Sequence, residues 1–287
     1  MSDKTKIEWC DASWNPVTGC SKVSEGCQNC YAERMAWRFY SGSDKYTSRS
    51  SHFKVQCHIE RLDIPIGWRK PRKIFVCSMG DLFHEAVPAA FIAEVFGVMA
   101  CATVDCGKRH EHEEECWQGP PHTFLVPTKR PERMLRFFRE ELSREMEHWQ
   151  GDAPLSVALD VGWPLQNVWL GVSVENQAKA AERIPLLLQA PAAVRFVSVE
   201  PMLGPVDLSP WLCDHEWEHG TPGGLNWVIC GGETGPGARP MDPAWARSLR
   251  DQCQLAGAGV PFFFKQLSGR RVIPPDLMVR EWPGVMP

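Results

Sequence analysis

Six short runs of almost unbroken apolar residues punctuate the chain. They are KIFVCS (73–78), HTFLVPT (122–128), VWLGVSV (168–174), VRFVSVE (194–200), NWVICGG (226–232) and VPFFFKQ (260–266). Each has the length of a strand, is rich in β-branched or aromatic residues, and lacks polar alternation. That pattern predicts strands covered on both faces, as in parallel sheets. Helical periodicity fills the intervals. Segments 88–101 and 131–149 each open on a proline suited to a first turn, and Met134, Leu135, Phe138 and Leu142 recur at helical spacing. Segments 176–189 and 242–256 complete the series, the second with Asp242 as its cap and Pro243 after it. With a further strand expected just before Cys20, the alternation predicts six or seven right-handed βα units. The expected fold is therefore α/β, a partial (βα)6–7 barrel of mostly parallel strands. Its unbroken rhythm predicts one domain over 1–287.

Two polar segments interrupt the rhythm. Residues 101–119 carry Cys101, Cys106, His110, His112 and Cys116, and residues 211–224 carry Cys213, His215 and His219. These are zinc-ligand types, but their spacings match no standard finger, and solvated surface insertions account for them more simply.

Composition narrows the picture further. With 44% hydrophobic residues the chain can bury a sizeable core, and 13 Trp against 3 Tyr point to an aromatic interior. The net charge of −4 gives no global attraction to nucleic acid. Basic and aromatic residues do interleave locally in WRKPRK (68–73) and ERMAWRFY (33–40). Such stretches suit phosphate contact and base stacking, although a turn and a solvated helix explain them more simply. No amino-terminal apolar h-region and no apolar run of membrane-spanning length occurs, so a soluble cytoplasmic protein without membrane association is expected. In that reducing compartment the 12 cysteines are expected as thiols rather than disulfides. Cys77, Cys230 and Cys253 fall in predicted strands or helices and read as small buried hydrophobes.

Three other cysteines demand a different explanation. The loop at about 15–35 contains GCSKVSEGCQNCY (19–31), which spaces Cys20, Cys27 and Cys30 as C-x6-C-x2-C. Three thiolates can hold a [4Fe–4S] cluster at three irons, leaving the fourth open to an outside ligand. Zinc bound by three cysteines and a fourth group is the alternative, with Cys10, Cys57, His52 and His58 as candidates for that group. In parallel α/β folds the functional groups collect at the carboxyl ends of strands. Here those ends carry Ser78, Met79, Gly80 and Asp81; Lys129 and Arg130; Ser173 and Glu175; Glu200; Gly231, Gly232 and Glu233; and Lys265 and Gln266.

The stretches IEWCDASWNPVTGCSKVSEGCQNCYAE, SMGDLFHE, TKRPERM, NVWLGVSVEN, RFVSVEPMLGPV, WVICGGETGPGARPM and PFFFKQ resemble the phage-associated three-Cys-motif protein family. More distantly, the chain is similar to radical S-adenosylmethionine enzymes, partial barrels with a three-cysteine [4Fe–4S] loop after the first strand. That resemblance implies S-adenosylmethionine as a second cofactor and an external electron donor. The substrate stays open between nucleic acid, which the basic–aromatic stretches suit, and a phage or host component, with a partner protein a further alternative. It makes Cys20, Cys27 and Cys30 the cluster ligands. It places Ser78, Met79, Gly80 and Asp81 at the methionine amino group, and Lys129 or Arg130 at its carboxylate. Ser173, Glu175 and Glu200 would face ribose or substrate, with Asp81, Glu175 and Glu200 the candidate catalytic carboxylates. Gly231 and Gly232 would lie along adenine. The first cysteine gap is six rather than three residues, and Tyr31 follows the third cysteine instead of an aromatic preceding it.

Overall fold

A computed structural model of the chain describes residues 5–40, 52–102, 121–148, 163–212, 224–257 and 259–284. Its main sheet contains seven strands, β1 (Ala12–Trp14), β4 (Lys73–Val76), β5 (Thr123–Thr128), β6 (Val168–Val174), β7 (Val194–Val199), β8 (Trp227–Gly231) and β9 (Phe262–Gln266). They lie side by side in chain order and every adjacent pair is parallel. The sheet curls into a half-barrel, as the alternation predicts.

The helices are α1 (Tyr31–Tyr40), α2 (Ala89–Cys101), α3 (Pro131–Arg136), α4 (Leu142–His148), α5 (Gln177–Leu188) and α6 (Pro243–Leu255). A π-helical turn, Phe137–Glu141, joins α3 to α4. The Asn176 side chain caps α5 by accepting from the Lys179 amide at 3.0 Å, and Asp242 caps α6 through the Ala244 amide at 2.8 Å. Among the described residues no helix is long and apolar enough to cross a membrane.

One expectation shifts. The first strand of the sheet is Ala12–Trp14, while Val17–Thr18 just before Cys20 forms β2, which pairs antiparallel with β3 (Gln56–Cys57) in a separate ribbon. The strand predicted over 73–78 also stops at Val76, because Cys77 turns to φ 60°. Cys77, Cys230 and Cys253 are all buried, as expected of small apolar side chains. The remaining cysteines and histidines of 103–119 and 213–223 lie outside the described residues.

Strand alternation divides the interior into two layers. Val126, Leu170, Val172, Val174, Val197, Val199, Val228 and Cys230 face the helices. On the concave face, Phe75, Leu125, Trp169, Phe196, Trp227 and Phe263 cluster with Trp9 near the amino ends of the strands. Trp169, Phe196, Phe263 and Trp9 each pack edge-on or tilted against Trp227. Rings in such geometry attract beyond their buried area. This aromatic floor fills the lower lumen, and the two ends of the described chain seal it. Trp282 donates to the Trp9 carbonyl at 3.4 Å and Trp227 to the Glu281 carbonyl at 2.8 Å.

The floor has a steric condition. Gly171 lies on the concave face of β6, where a β-carbon would come within 2.6 Å of three carbons of the Phe196 ring. Gly171→Ala must therefore displace that ring and is expected to cost about 1–3 kcal/mol. A urea-unfolding midpoint equal to wild type would refute that packing argument.

Candidate functional site

The open upper mouth is built at the carboxyl ends of the strands. The cysteine loop lies across it and touches three separate strand ends. At the end of β5, Arg130 donates through Nη1 to Cys20 Sγ at 3.4 Å, and through Nη2 to Ser21 Oγ at 2.8 Å and the Ser21 carbonyl at 3.1 Å. At the end of β6, a β-carbon on Gly26 would sit 3.1 Å from the Glu175 carboxyl, so the loop passes directly over that carboxylate. Beyond β8, Asn29 donates to Glu233 Oε2 at 2.9 Å and to the Gly237 carbonyl at 3.0 Å.

The third attachment is a latch. Arg239 grips Glu233 through Nε (3.0 Å), Nη2 (2.6 Å) and its own backbone amide (2.9 Å). The same guanidinium reaches the loop at the Glu25 carbonyl (3.1 Å) and Gln28 Oε1 (3.3 Å). Arg34 of α1 adds a hydrogen bond to the Thr234 carbonyl at 2.7 Å. Burial alone would raise the Glu233 pKa, but the Arg239 and Asn29 hydrogen bonds override it and bring it down to about 2. Of the side chains in this set, Glu233 alone falls among the strand-end residues identified from sequence. The available signal was the segment ETGPGARPM, a glycine- and proline-rich loop with one glutamate and one arginine.

The first attachment is equally well braced. Asp81 accepts from Thr128 Oγ1 (2.7 Å), the Phe83 amide (3.0 Å) and the Lys129 amide (3.1 Å), and pairs with Arg130 at 3.5 Å. His84 Nδ1 accepts from the Ala86 amide at 3.0 Å, which leaves Nε2–H to donate to Ser21 Oγ at 2.9 Å. Burial, reinforced by Arg130, lowers the His84 pKa and favours that neutral ring. Burial, reinforced by Asp81, pushes the Cys20 thiol up to about 11, with Arg130 opposing.

The other expected site residues divide into braced and open groups. Asn15 Oδ1 accepts from Ser78 Oγ (3.2 Å) and the Met79 amide (2.8 Å), while the Met79 carbonyl takes the Gly19 amide (2.9 Å). Gly80 bridges to Gly19, and Tyr31 donates to the Ser78 carbonyl. Those polar groups hold the loop after β4 to the segment after β1. Gly232 packs against the Ser268 backbone, where a β-carbon would meet its amide at 2.3 Å. Glu200 pairs with Lys265 at 2.5 Å beside Gly231.

Glu175 is fully buried and meets Arg183 at 3.2 Å through Oε2, while Oε1 has no hydrogen-bond partner among the described residues. Arg183 also donates to the Ser173 carbonyl at 2.6 Å. Lys129 follows the concave-face positions of β5, and its ammonium makes no ion pair or hydrogen bond among the described residues. Of the two neighbouring cations, Arg130 is committed to the loop and Lys129 is available.

Cys20, Cys27 and Cys30 are partly buried free thiols. Among the described residues no three Cys, His, Asp or Glu side chains gather closely enough to hold one metal ion. Of the possible fourth ligands, Cys10 lies before β1, at the opposite end of the sheet, with its thiol on the Ile7 carbonyl. His58 bonds Thr18 and Glu60, and Cys57 sits in the β2–β3 ribbon. His52 packs its ring edge-on against Trp37, and the carbonyl of the adjacent Phe53 accepts from the Cys20 amide at 3.1 Å. The two basic–aromatic stretches occupy opposite ends of the sheet. WRKPRK leads into the amino end of β4, with Arg72 stacked 4.9 Å over Trp68, whereas α1 borders the mouth.

A family model described as "Protein of unknown function (DUF5131)" matches residues 4–274. No curated protein and no solved structure matches the chain.

Proposed function

Starting from the fact that the chain belongs to the DUF5131 family, whose description carries no activity, we propose that it is an iron–sulfur enzyme of the radical S-adenosylmethionine type. Cys20, Cys27 and Cys30 would hold a [4Fe–4S] cluster. One observation carries this reading: three free thiols share one loop that is fastened over the ends of β5, β6 and β8. The donor set fits, because a cubane takes each thiolate at a different iron and does not need three sulfurs around one ion. When bound, such a cluster supplies one electron to S-adenosylmethionine, whose carbon–sulfur bond breaks to give methionine and a 5′-deoxyadenosyl radical.

The chain's own groups would orient that cofactor. The Lys129 ammonium, which has no partner among the described residues, suits its carboxylate, since opposite charges in a partly enclosed mouth attract strongly. Glu175 Oε1 offers an unused acceptor to a hydroxyl or ammonium beneath the loop. The aromatic floor under the mouth excludes water from below. Asp81 and Arg130 would act by holding the loop rather than by touching ligand. Cytoplasmic localisation, an external electron donor and a substrate that is nucleic acid or a phage or host component complete this reading.

Anaerobic reconstitution tests the proposal in stages. The expected result is about four irons and four sulfides per chain, lost in Cys20→Ala, Cys27→Ala and Cys30→Ala. Dithionite reduction with S-adenosylmethionine should then release 5′-deoxyadenosine. One tightly bound zinc without sulfide would instead favour the alternative, a zinc-binding, non-catalytic phage or defence-related binding protein. A cluster that never yields 5′-deoxyadenosine would remove the radical chemistry.

A further inference from the structure

Arg130 is buried, and its guanidinium is held on both Nη atoms. Nη1 faces Cys20 Sγ at 3.4 Å and Asp81 at 3.5 Å, and Nη2 faces Ser21 at 2.8 and 3.1 Å. No ligand is needed to explain that position, yet one of its contacts is a sulfur. We infer that Arg130 is a positioning residue that sets the reduction potential of the cysteine site by donating to the Cys20 thiolate. The inference rests on the cluster reading above.

The physical argument concerns charge. Adding one electron adds one negative charge, part of which spreads onto the ligand sulfurs. Hydrogen bonds to those sulfurs and fixed neighbouring cations stabilise the reduced state and raise the potential. The charged groups facing Cys20 are Arg130, which favours reduction, and Asp81, which opposes it. Both sit in a mostly desolvated pocket, where charge interactions exceed their values in water. The neutral His84 ring and Ser21 complete the cage and keep Nη2 from turning away.

Two substitutions should therefore move the potential in opposite directions. Arg130→Gln removes the cation and lowers the midpoint. Asp81→Asn removes the opposing anion and raises it. Arg130→Lys keeps the charge without the two-pronged geometry and should fall between wild type and Arg130→Gln. The measurement is an EPR-monitored dithionite titration of anaerobically reconstituted protein, with iron and sulfide assayed on every sample. Opposite shifts with an intact cluster support the assignment. An unmoved Arg130→Gln midpoint, or shifts of the same sign, overturns it. If Arg130→Gln retains no cluster, Asp81→Asn and Arg130→Lys still decide, and their lying at the wild-type midpoint overturns it. A wild-type chain that takes up neither iron nor sulfide overturns the cluster reading itself.

Discussion

Gly19→Ala is expected to destabilise the protein by about 2–5 kcal/mol and to misplace the first cysteine. Gly19 sits at φ +83°, a conformation that costs a residue with a β-carbon about 1–2 kcal/mol. The added carbon would also lie 2.0 Å from the Lys54 carbonyl oxygen and 2.8 Å from the Val55 amide nitrogen. Those neighbours are backbone, so relief requires the 54–55 segment to move as a whole, which adds an overpacking cost of about 1–3 kcal/mol. The same segment positions Cys20, whose amide donates to the Phe53 carbonyl at 3.1 Å. Urea unfolding of the variant should show the loss, and its iron uptake after reconstitution should fall with it. Gly204 is a suitable control, since nothing lies within 4 Å of a β-carbon there. A Gly19→Ala midpoint matching that of Gly204→Ala would sink the argument.

Glu233→Gln is expected to release the cysteine loop from β8. Lowering a carboxyl from 4.5 to about 2 corresponds to about 3 kcal/mol at neutral pH. Arg239 is one-quarter exposed, so screening reduces the expected loss to about 2 kcal/mol. The pH dependence follows from the sign of the shift. A carboxyl whose folded pKa is depressed contributes fully above its unfolded value and loses that contribution as pH falls toward about 2. The wild-type advantage over Glu233→Gln should therefore be complete at pH 7, largely kept just above 4.5, and gone near pH 2. In metal-free protein at neutral pH, Cys27 and Cys30 should also be alkylated faster in the variant. Equal stability and equal alkylation rates in the two proteins would show that the latch does not hold the loop.

The six strands from 73 to 266 and most of the helices were legible in the sequence because burial imposes a local pattern. A strand covered by helices outside and aromatic rings inside must be apolar at nearly every position, and β5 to β9 are. The thiols of Cys20, Cys27 and Cys30 were legible for a similar reason, since their spacing is itself local. Even the mouth could be anticipated, as parallel strands deliver the residues after them to one end.

The roles within that mouth were not legible. Sequence places Lys129 and Arg130 side by side with the same charge, but strand alternation and the position of Asp81 commit Arg130 to Cys20 and leave Lys129 open. It also places Asn29 and Glu233 204 residues apart, and only the curl of the sheet brings them to 2.9 Å. The strand expected just before Cys20 is Val17–Thr18, which pairs with β3, whereas Ala12–Trp14 takes the first place in the sheet beside β4. By itself the sequence determined the parallel half-barrel and its three-thiol loop, because periodicity and spacing are written along the chain. The tertiary structure alone decided which charges hold the loop and which face the lumen, because pairing between distant segments depends on a closure that leaves no local mark.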